Sequence, residues 1–196
     1  MEKTLVIIKP DGVQRTLVGE IIKRYERTGL KLLAMKMFIP TSDLVEKHYT
    51  VDPNWIRIVG EKSLVAYEKK GLQAPYTNPE ECGRAVLERL KKYLTCGPVV
   101  AMVWQGNAAV GIVRKVTGST EPLASDVGTI RGDFTIDSYE LADRDKRAVR
   151  NLVHASGSPE EAENEINIWF DENELLKYRL IPSEVLYDVN LDGILE

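Results

Sequence analysis

Cysteine is scarce in this chain: its 196 residues contain two, Cys82 and Cys96. They form no C-x-x-C pair, so neither a disulfide framework nor a thiolate metal site is indicated, and a reducing compartment fits. Histidine is equally scarce, at His48 and His154. These two are far apart along the sequence and neither sits in a ligand cluster, which predicts no protein-held metal. An excess of positive charge is also missing, because 26 Lys and Arg face 30 Asp and Glu for a net charge of −4. Broad binding to nucleic acid or to an acidic membrane needs a basic field, so both are disfavoured, and an anionic ligand must be held by a few local cations. Long apolar runs are absent too. Leu5 to Ile8 follows a charged N-terminus and is too short for a signal peptide or a membrane span. Cytoplasmic residence is the expectation, and there are no repeats or low-complexity tracts.

What remains is a globular composition, 43% hydrophobic and 29% charged, on a length that suits one domain with insertions. Thr4 to Ile8 is predicted as a buried strand that stops at Lys9-Pro10, with Asp11-Gly12 turning the chain. Leu17 to Thr28 carries Val18, Ile21, Ile22 and Tyr25 at helical spacing and ends at Gly29. A second strand is expected over Lys31 to Ile39, then a short helix over Asp43 to Tyr49 after the caps Thr41 and Ser42. Asn54 to Lys70 and Pro79 to Leu94 are expected as helices. Val99 to Trp104 is nearly all apolar, a strand covered on both faces. Gly106 to Val116 is expected to be helical. The Gly/Ser/Thr-rich stretch from Thr117 to Gly132 is a long functional loop. Ser138 to Arg147 is polar and taken as a solvated excursion, and Val149 to His154 as the last core strand. Ser158 to Phe170 has an N-cap serine, Pro159 at the first position and Glu161 to complete a capping box. The tail after about 171 is expected to lie over the surface or a partner subunit. The pattern is α+β.

Several positions invite chemistry. Lys9 ends a buried strand and must reach solvent or an anion, since an unpaired buried ammonium is costly. Arg114 and Arg131 flank the Gly/Ser/Thr loop that contains Thr120. Arginine holds phosphate oxygens with parallel donors and a threonine hydroxyl adds another. With Lys9 they supply three positive charges, a match to the phosphates of a nucleoside triphosphate. The stretch Gly111 to Thr120 lacks the Gly-Lys-Ser/Thr spacing of a P-loop, and no dinucleotide fingerprint is present. His154 sits at a strand end among small and polar residues. Its imidazole serves either as a nucleophile or base, or as a strand-end group that bonds locally. Glu165 lies on the following helix, which doubles back if its carboxylate is to fix the imidazole tautomer. Tyr49, Trp55 and Tyr76 are candidates to stack on a base or to fill the core.

These residues fall in an ordered set of motifs. They are Ile8-Lys9-Pro10-Asp11-Gly12-Val13, Val18-Gly19-Glu20-Ile21-Ile22, Gly97-Pro98-Val99-Val100-Ala101-Met102-Val103-Trp104 and Gly128-Thr129-Ile130-Arg131-Gly132-Asp133. Then come Asn151-Leu152-Val153-His154-Ala155-Ser156, and Glu165 before Trp169-Phe170. The set resembles nucleoside diphosphate kinases over nearly the whole chain. The resemblance implies a ferredoxin-like βαββαβ fold with a four-stranded antiparallel sheet. It implies ping-pong transfer of the γ-phosphoryl group of ATP or another nucleoside triphosphate to a nucleoside diphosphate. His154 matches the histidine that is phosphorylated, Glu165 the carboxylate that orients it, with Ser156 nearby. Lys9, Tyr49, Arg114, Thr120 and Arg131 match phosphate-binding residues, and Asn151 and Lys9 match contacts to the ribose 3′-hydroxyl. Mg²⁺ is implied, held mainly by the nucleotide phosphates. So is a homo-oligomer, a hexamer ahead of a tetramer or dimer, with the loop around Glu121-Pro122 and the C-terminal tail resembling parts that meet neighbouring subunits. A non-catalytic nucleotide-binding module of the same fold is the alternative, but it would be expected to have lost His154 or the arginines.

Three departures stand out. One insertion spans about residues 50–84 and a second about 138–148, beside a short C-terminal extension of a single domain covering 1–196. The family's base-stacking phenylalanine falls at Val86, so base contact is weaker or passes to Trp55 or Tyr76. Ala155 stands where glycine is common.

Overall fold

In this computed structural model, residues 1–69, 71, 73–188 and 191 are described. The centre is the strand β1 (Glu2–Ile8), in which Leu5 to Ile8 are all fully buried. Because side chains alternate along a strand, Val6 and Ile8 enter one core while Leu5 and Ile7 enter another. A short helix α1 (Pro10–Gln14) follows at once, so the expected Asp11-Gly12 turn is instead the first turn of a helix with Pro10 at its first position. Proline suits that position, where its missing N–H would be unpaired in any case. Helix α2 (Val18–Glu26) buries Ile21 and Tyr25, and Gly29 (φ +84°) provides the left-handed turn into β2 (Lys31–Phe38).

Helix α3 (Ser42–Tyr49) is capped by Thr41, whose hydroxyl accepts from the Leu44 N–H at 3.2 Å. The first insertion then forms a helical hairpin of α4 (Trp55–Lys69) and α5 (Pro79–Leu94). Its helices touch backbone to backbone: a Cβ at Gly60 would collide with the Pro79 carbonyl, and one at Gly83 with the Ile56 carbonyl. Strand β3 (Val99–Gly106) runs antiparallel to both β1 and β2. It takes Gly106 into the sheet, so α6 (Ala109–Thr117) starts three residues later than its composition predicted. The long loop contains α7 (Ile130–Phe134), capped by Thr129.

The second insertion is more than a solvated excursion. It forms α8 (Tyr139–Arg144), with Ala142 buried, and Asp137 is only 5% exposed because Arg147 grips it with two bonds of 2.7 and 2.8 Å. The last strand, β4 (Val153–Ala155), has three residues where six were expected. Leu152 lies at φ +64°, a left-handed conformation in which the pleat cannot continue. Helix α9 (Pro159–Trp169) is capped by Ser158, but half of the capping box is displaced: the Glu161 carboxylate accepts from the Gly157 N–H instead of the Ser158 N–H. Helix α10 (Pro182–Tyr187) lies in the tail, where the Asn107 N–H donates to the Tyr187 hydroxyl at 3.4 Å.

The sheet order is β2-β3-β1-β4, all antiparallel, on a βαββαβ path. This is the expected ferredoxin-like α+β fold. One core packs α2 and α6 against Val6, Ile8, Met102 and Trp104; the other packs α9 against Leu5, Ile7, Ala101 and Val103. Fully burying one such side chain contributes about 1.5–3 kcal/mol. The short edge strand β4 therefore sits beside a strand buried on both faces, with Ile7 opposite His154.

Candidate active site

His154 is the middle residue of β4, and the turn at Gly157-Ser158 folds α9 back behind it. Its Nε2 lies 2.9 and 3.0 Å from the two Glu165 carboxylate oxygens. The Ser156 hydroxyl donates to the same carboxylate at 2.7 Å. A carboxylate accepts, so the imidazole proton resides on Nε2 and Nδ1 keeps its lone pair. Burial and then the charge of Lys9 hold the His154 pKa well below its ordinary value, so the ring is neutral near pH 7. Glu165, itself 2% exposed, has its pKa raised by burial.

The start of α1 and the approach to β4 are zipped together. The Lys9 N–H donates to the Leu152 carbonyl at 2.8 Å, and the Leu152 N–H donates to Asp11 Oδ2 at 3.2 Å. Lys9 is 5% exposed, and its ammonium donates to Asn151 Oδ1 at 2.7 Å. Burial, then the Arg131 charge, pull the Lys9 pKa down to about 7. Asn151 is held from its other side, its amide donating to the Thr120 carbonyl at 2.9 Å.

Arg131 is buried and its guanidinium serves the backbone first. It donates to the carbonyls of Asn151, Gly118, Ser119 and Val153 at 2.6–3.0 Å. Four of five N–H groups are thereby engaged, so this residue shapes the loop and supplies a positive field more than a two-pronged grip. Arg114, on the last turn of α6, and Thr120 are exposed and unencumbered by such a network.

One cavity of about 640 Å³ joins these groups. Lys9, Arg114, Thr120, Arg131, Asn151 and His154 line it, and Tyr49, Trp55 and Val86 line it as well. Every nucleotide-binding position expected from sequence therefore faces a single space. Glu165 stands behind His154 and outside the lining. Trp55 packs against Tyr49 with ring centroids 5.2 Å apart, whereas Tyr76 is not among the described lining residues.

His48 corrects the expectation that the two histidines are unrelated. Its ring meets that of His154 edge to face, with centroids 4.4 Å apart, and its Nδ1 is 3.4 Å from Glu165. The Trp169 indole N–H donates to that Nδ1 at 3.2 Å, while the buried Nε2 has no partner among the described residues. Burial, then the neighbouring His154, depress its pKa to about 3, so it stays neutral. The only sign in the sequence was its spacing from Val45, which places it on the buried face of α3. His48, His154 and Glu165 each bring one ligand atom within 4.8 Å of the others. Two imidazoles and one carboxylate that is already hydrogen-bonded do not suit a hard, oxygen-seeking ion such as Mg²⁺.

Comparison with known proteins agrees with this geometry. The profile of the family described as "Nucleoside diphosphate kinase" matches residues 2–55 and 51–175. The chain is 49% identical over 181 residues to a nucleoside diphosphate kinase of Pyrobaculum aerophilum, covering 90% of this chain and 99% of that protein. The crystal structure of an NDP kinase from the same organism superposes with a TM-score of 0.86 at 48% identity, over 90% of this chain and 99% of that one. A transition state mimic of nucleoside-diphosphate kinase from Borrelia burgdorferi, with bound vanadate and ADP, gives 0.77 at 35% identity over 94% and 95%.

Proposed function

The chain belongs to the nucleoside diphosphate kinase family, nucleotide-binding phosphotransferases acting between nucleoside tri- and diphosphates, and we propose that His154 carries the phosphoryl group in transit. The observation that supports this assignment most directly is the pairing of His154 Nε2 with a buried Glu165, which leaves Nδ1 as the free nitrogen of a cavity-lining ring.

In the first half-reaction the Nδ1 lone pair attacks the γ-phosphorus of ATP or another triphosphate. The bond from that phosphorus to its β,γ-bridging oxygen breaks, its electrons leave with the diphosphate, and phosphohistidine remains. In the second, a terminal β-phosphate oxygen of the acceptor attacks the phosphorus and the P–N bond breaks. No proton need leave the imidazole, because Nε2–H stays on Glu165 while positive charge develops in the ring. Lys9 and Arg114 neutralise phosphate oxygens, Thr120 donates to them, and Arg131 adds its field from behind the loop. Asn151, already bonded to Lys9, is placed to meet the ribose 3′-hydroxyl together with that ammonium. Tyr49 and Val86 line the way toward the base.

Mg²⁺ fits this cavity through the nucleotide: the walls near His154 are cationic, so its oxygen ligands would come chiefly from the phosphates. Bound there, the ion neutralises charge on the transferring group. A non-catalytic module is not favoured, since none of these side chains is missing.

The chain is read as one domain interrupted at about 50–84 and 138–148. A cytoplasmic homo-oligomer, a hexamer before a tetramer or dimer, is part of the same reading. Among the described residues no helix is long and apolar enough to cross a membrane. Leu123 (76% exposed) and Val127 (93%), next to Glu121-Pro122, are apolar surface that assembly would cover; light scattering of the purified protein tests it, and a monomer would refute it. For the chemistry, transfer from ATP to GDP is measured with the natural chain and with His154→Asn. Transfer by the first and none by the second is expected, and equal rates would exclude His154 as the carrier.

A further inference from the structure

Part of the cavity is built by the inserted segments. Helix α4 of the first insertion contributes Val59 and Tyr67, α8 of the second contributes Ala142 and Asp143, and the adjoining part of α5 contributes Val86, Arg89 and Leu90. Phosphates anchored at Lys9 and Arg114 leave this inserted wall for the base. Val59, Val86, Leu90 and Ala142 give it an apolar part, as a base face requires.

Polar side chains line it too, Lys62 and Lys69 among them, and three from different helices, Arg89, Asp143 and Tyr67, stand together. Arg89 Nη1 lies 3.4 Å from Asp143 Oδ1. Tyr67 is beside both, and burial, then the Asp143 charge, raise its hydroxyl pKa. The segment carrying Asp143 is pinned rather than loose, because Ser138 caps α8 and Arg147 clamps Asp137. Arg89 has its charge cancelled by Asp143, so the pair is a poor phosphate ligand. It does offer an acceptor beside a donor, which is what the edge of a base can recognise. A carboxylate accepts two parallel N–H groups, and guanine presents N1–H and N2–H₂ side by side with O6 adjacent as an acceptor for the guanidinium. Adenine would turn its N1 lone pair toward the carboxylate, which is repulsive.

We propose that Asp143, held in place by Arg89 and Tyr67, reads the edge of a guanine base, so that the two insertions give this chain a preference for guanine nucleotides. The inference rests on the reading of the cavity as a nucleoside diphosphate kinase site.

The test begins with protein phosphorylated by radiolabelled ATP and freed of nucleotide. The rate at which GDP or ADP drains the label gives kcat/KM for each acceptor. The natural chain should favour GDP by about tenfold, the discrimination of one good bidentate contact. In Asp143→Asn an amide donor faces N1–H, so the GDP/ADP ratio should fall toward one while the rate at saturating acceptor is unchanged. A ratio measured on one preparation does not depend on the fraction folded. Equal use of both nucleotides by the natural chain, or an unchanged ratio in Asp143→Asn, overturns the proposal. Absence of label after ATP marks failure of the kinase reading itself.

Discussion

The two ends of the cavity are made differently. At the phosphoryl end, His154, Glu165, Ser156, Lys9 and Asn151 lie on or beside β1 and β4 and on the second turn of α9, and all but His154 are fully or almost fully buried. Each is held by a second side chain or a backbone group. At the base end, Val86, Arg89 and Asp143 stand on helices that the insertions form or adjoin and are partly open to solvent, with the side chains of Arg89 and Asp143 at 23% and 35% exposure. Positioning to fractions of an ångström matters most for the reacting atoms, and that end rests on the sheet. Base contacts tolerate looser support, and they occupy segments that can be lengthened without disturbing the core.

The largest expected effect lies at the rigid end. His154→Asn removes the free ring nitrogen that lines the cavity and should lower kcat by about 10⁴-fold or more, as loss of a nucleophile does; retention of a tenth of the activity in steady-state assays would break the contrast. Glu165→Gln keeps an acceptor but loses the charge that balances the imidazolium. A fall in kcat of about 10- to 100-fold with KM nearly constant is expected, and a change confined to KM would place Glu165 in binding instead.

Much of this division was legible before any coordinates. Apolar runs and helical spacing gave β1, α2 and α5 to within a residue or two, and the motif around His154 named its partner. What escaped notice depended on contacts distant in sequence. His48 meets His154 only because α3 and α9 share one face of the sheet. Arg131 looks like a free phosphate ligand until the carbonyls that claim its guanidinium are seen. Polarity alone predicts a solvated excursion over Ser138 to Arg147, yet a cavity wall is polar for a related reason: it faces water until a ligand arrives. The last strand was predicted too long because a left-handed Leu152 has no signature in composition.

The next effects probe the inserted end. Gly60→Ala puts a methyl into the Pro79 carbonyl across the α4–α5 crossing. Prying that hairpin apart should cost about 1–3 kcal/mol and raise nucleotide KM severalfold, with kcat almost unchanged. Thermal unfolding and kinetics check it together, and an unaltered KM would mean that the hairpin takes no part in binding. Gly111→Ala is the counterpart on α6, where a Cβ meets nothing within 4 Å; a gain of about 0.5–1 kcal/mol is expected from the helix interior.

Dependence on pH reports on the phosphoryl end. Lys9 binds its proton with a pKa of about 7 in the free protein, and bound phosphate raises that value. Nucleotide binding therefore takes up a proton above about pH 7, and KM should climb as pH rises from there. Folding has the opposite sign: the unfolded chain holds this proton up to the ordinary lysine range and the folded chain releases it near 7, so stability rises with pH from about 7 up to that range. His154 shifts the opposite limb, since its depressed pKa keeps it neutral in mild acid. Rates at saturating nucleotide should hold below pH 6.5, where an ordinary histidine would already be failing. The smallest effect expected is at Val86→Ala, a two- to threefold rise in KM from about 0.5 kcal/mol of lost apolar contact.

The most direct test of the account is the protein mixed with radiolabelled ATP alone. His154 should acquire a label that acid removes and alkali does not, in an amount approaching one per chain, and added GDP should discharge it. Transfer to GDP without such a label, or a label of equal amount in His154→Asn, would contradict the carriage of the phosphoryl group on His154.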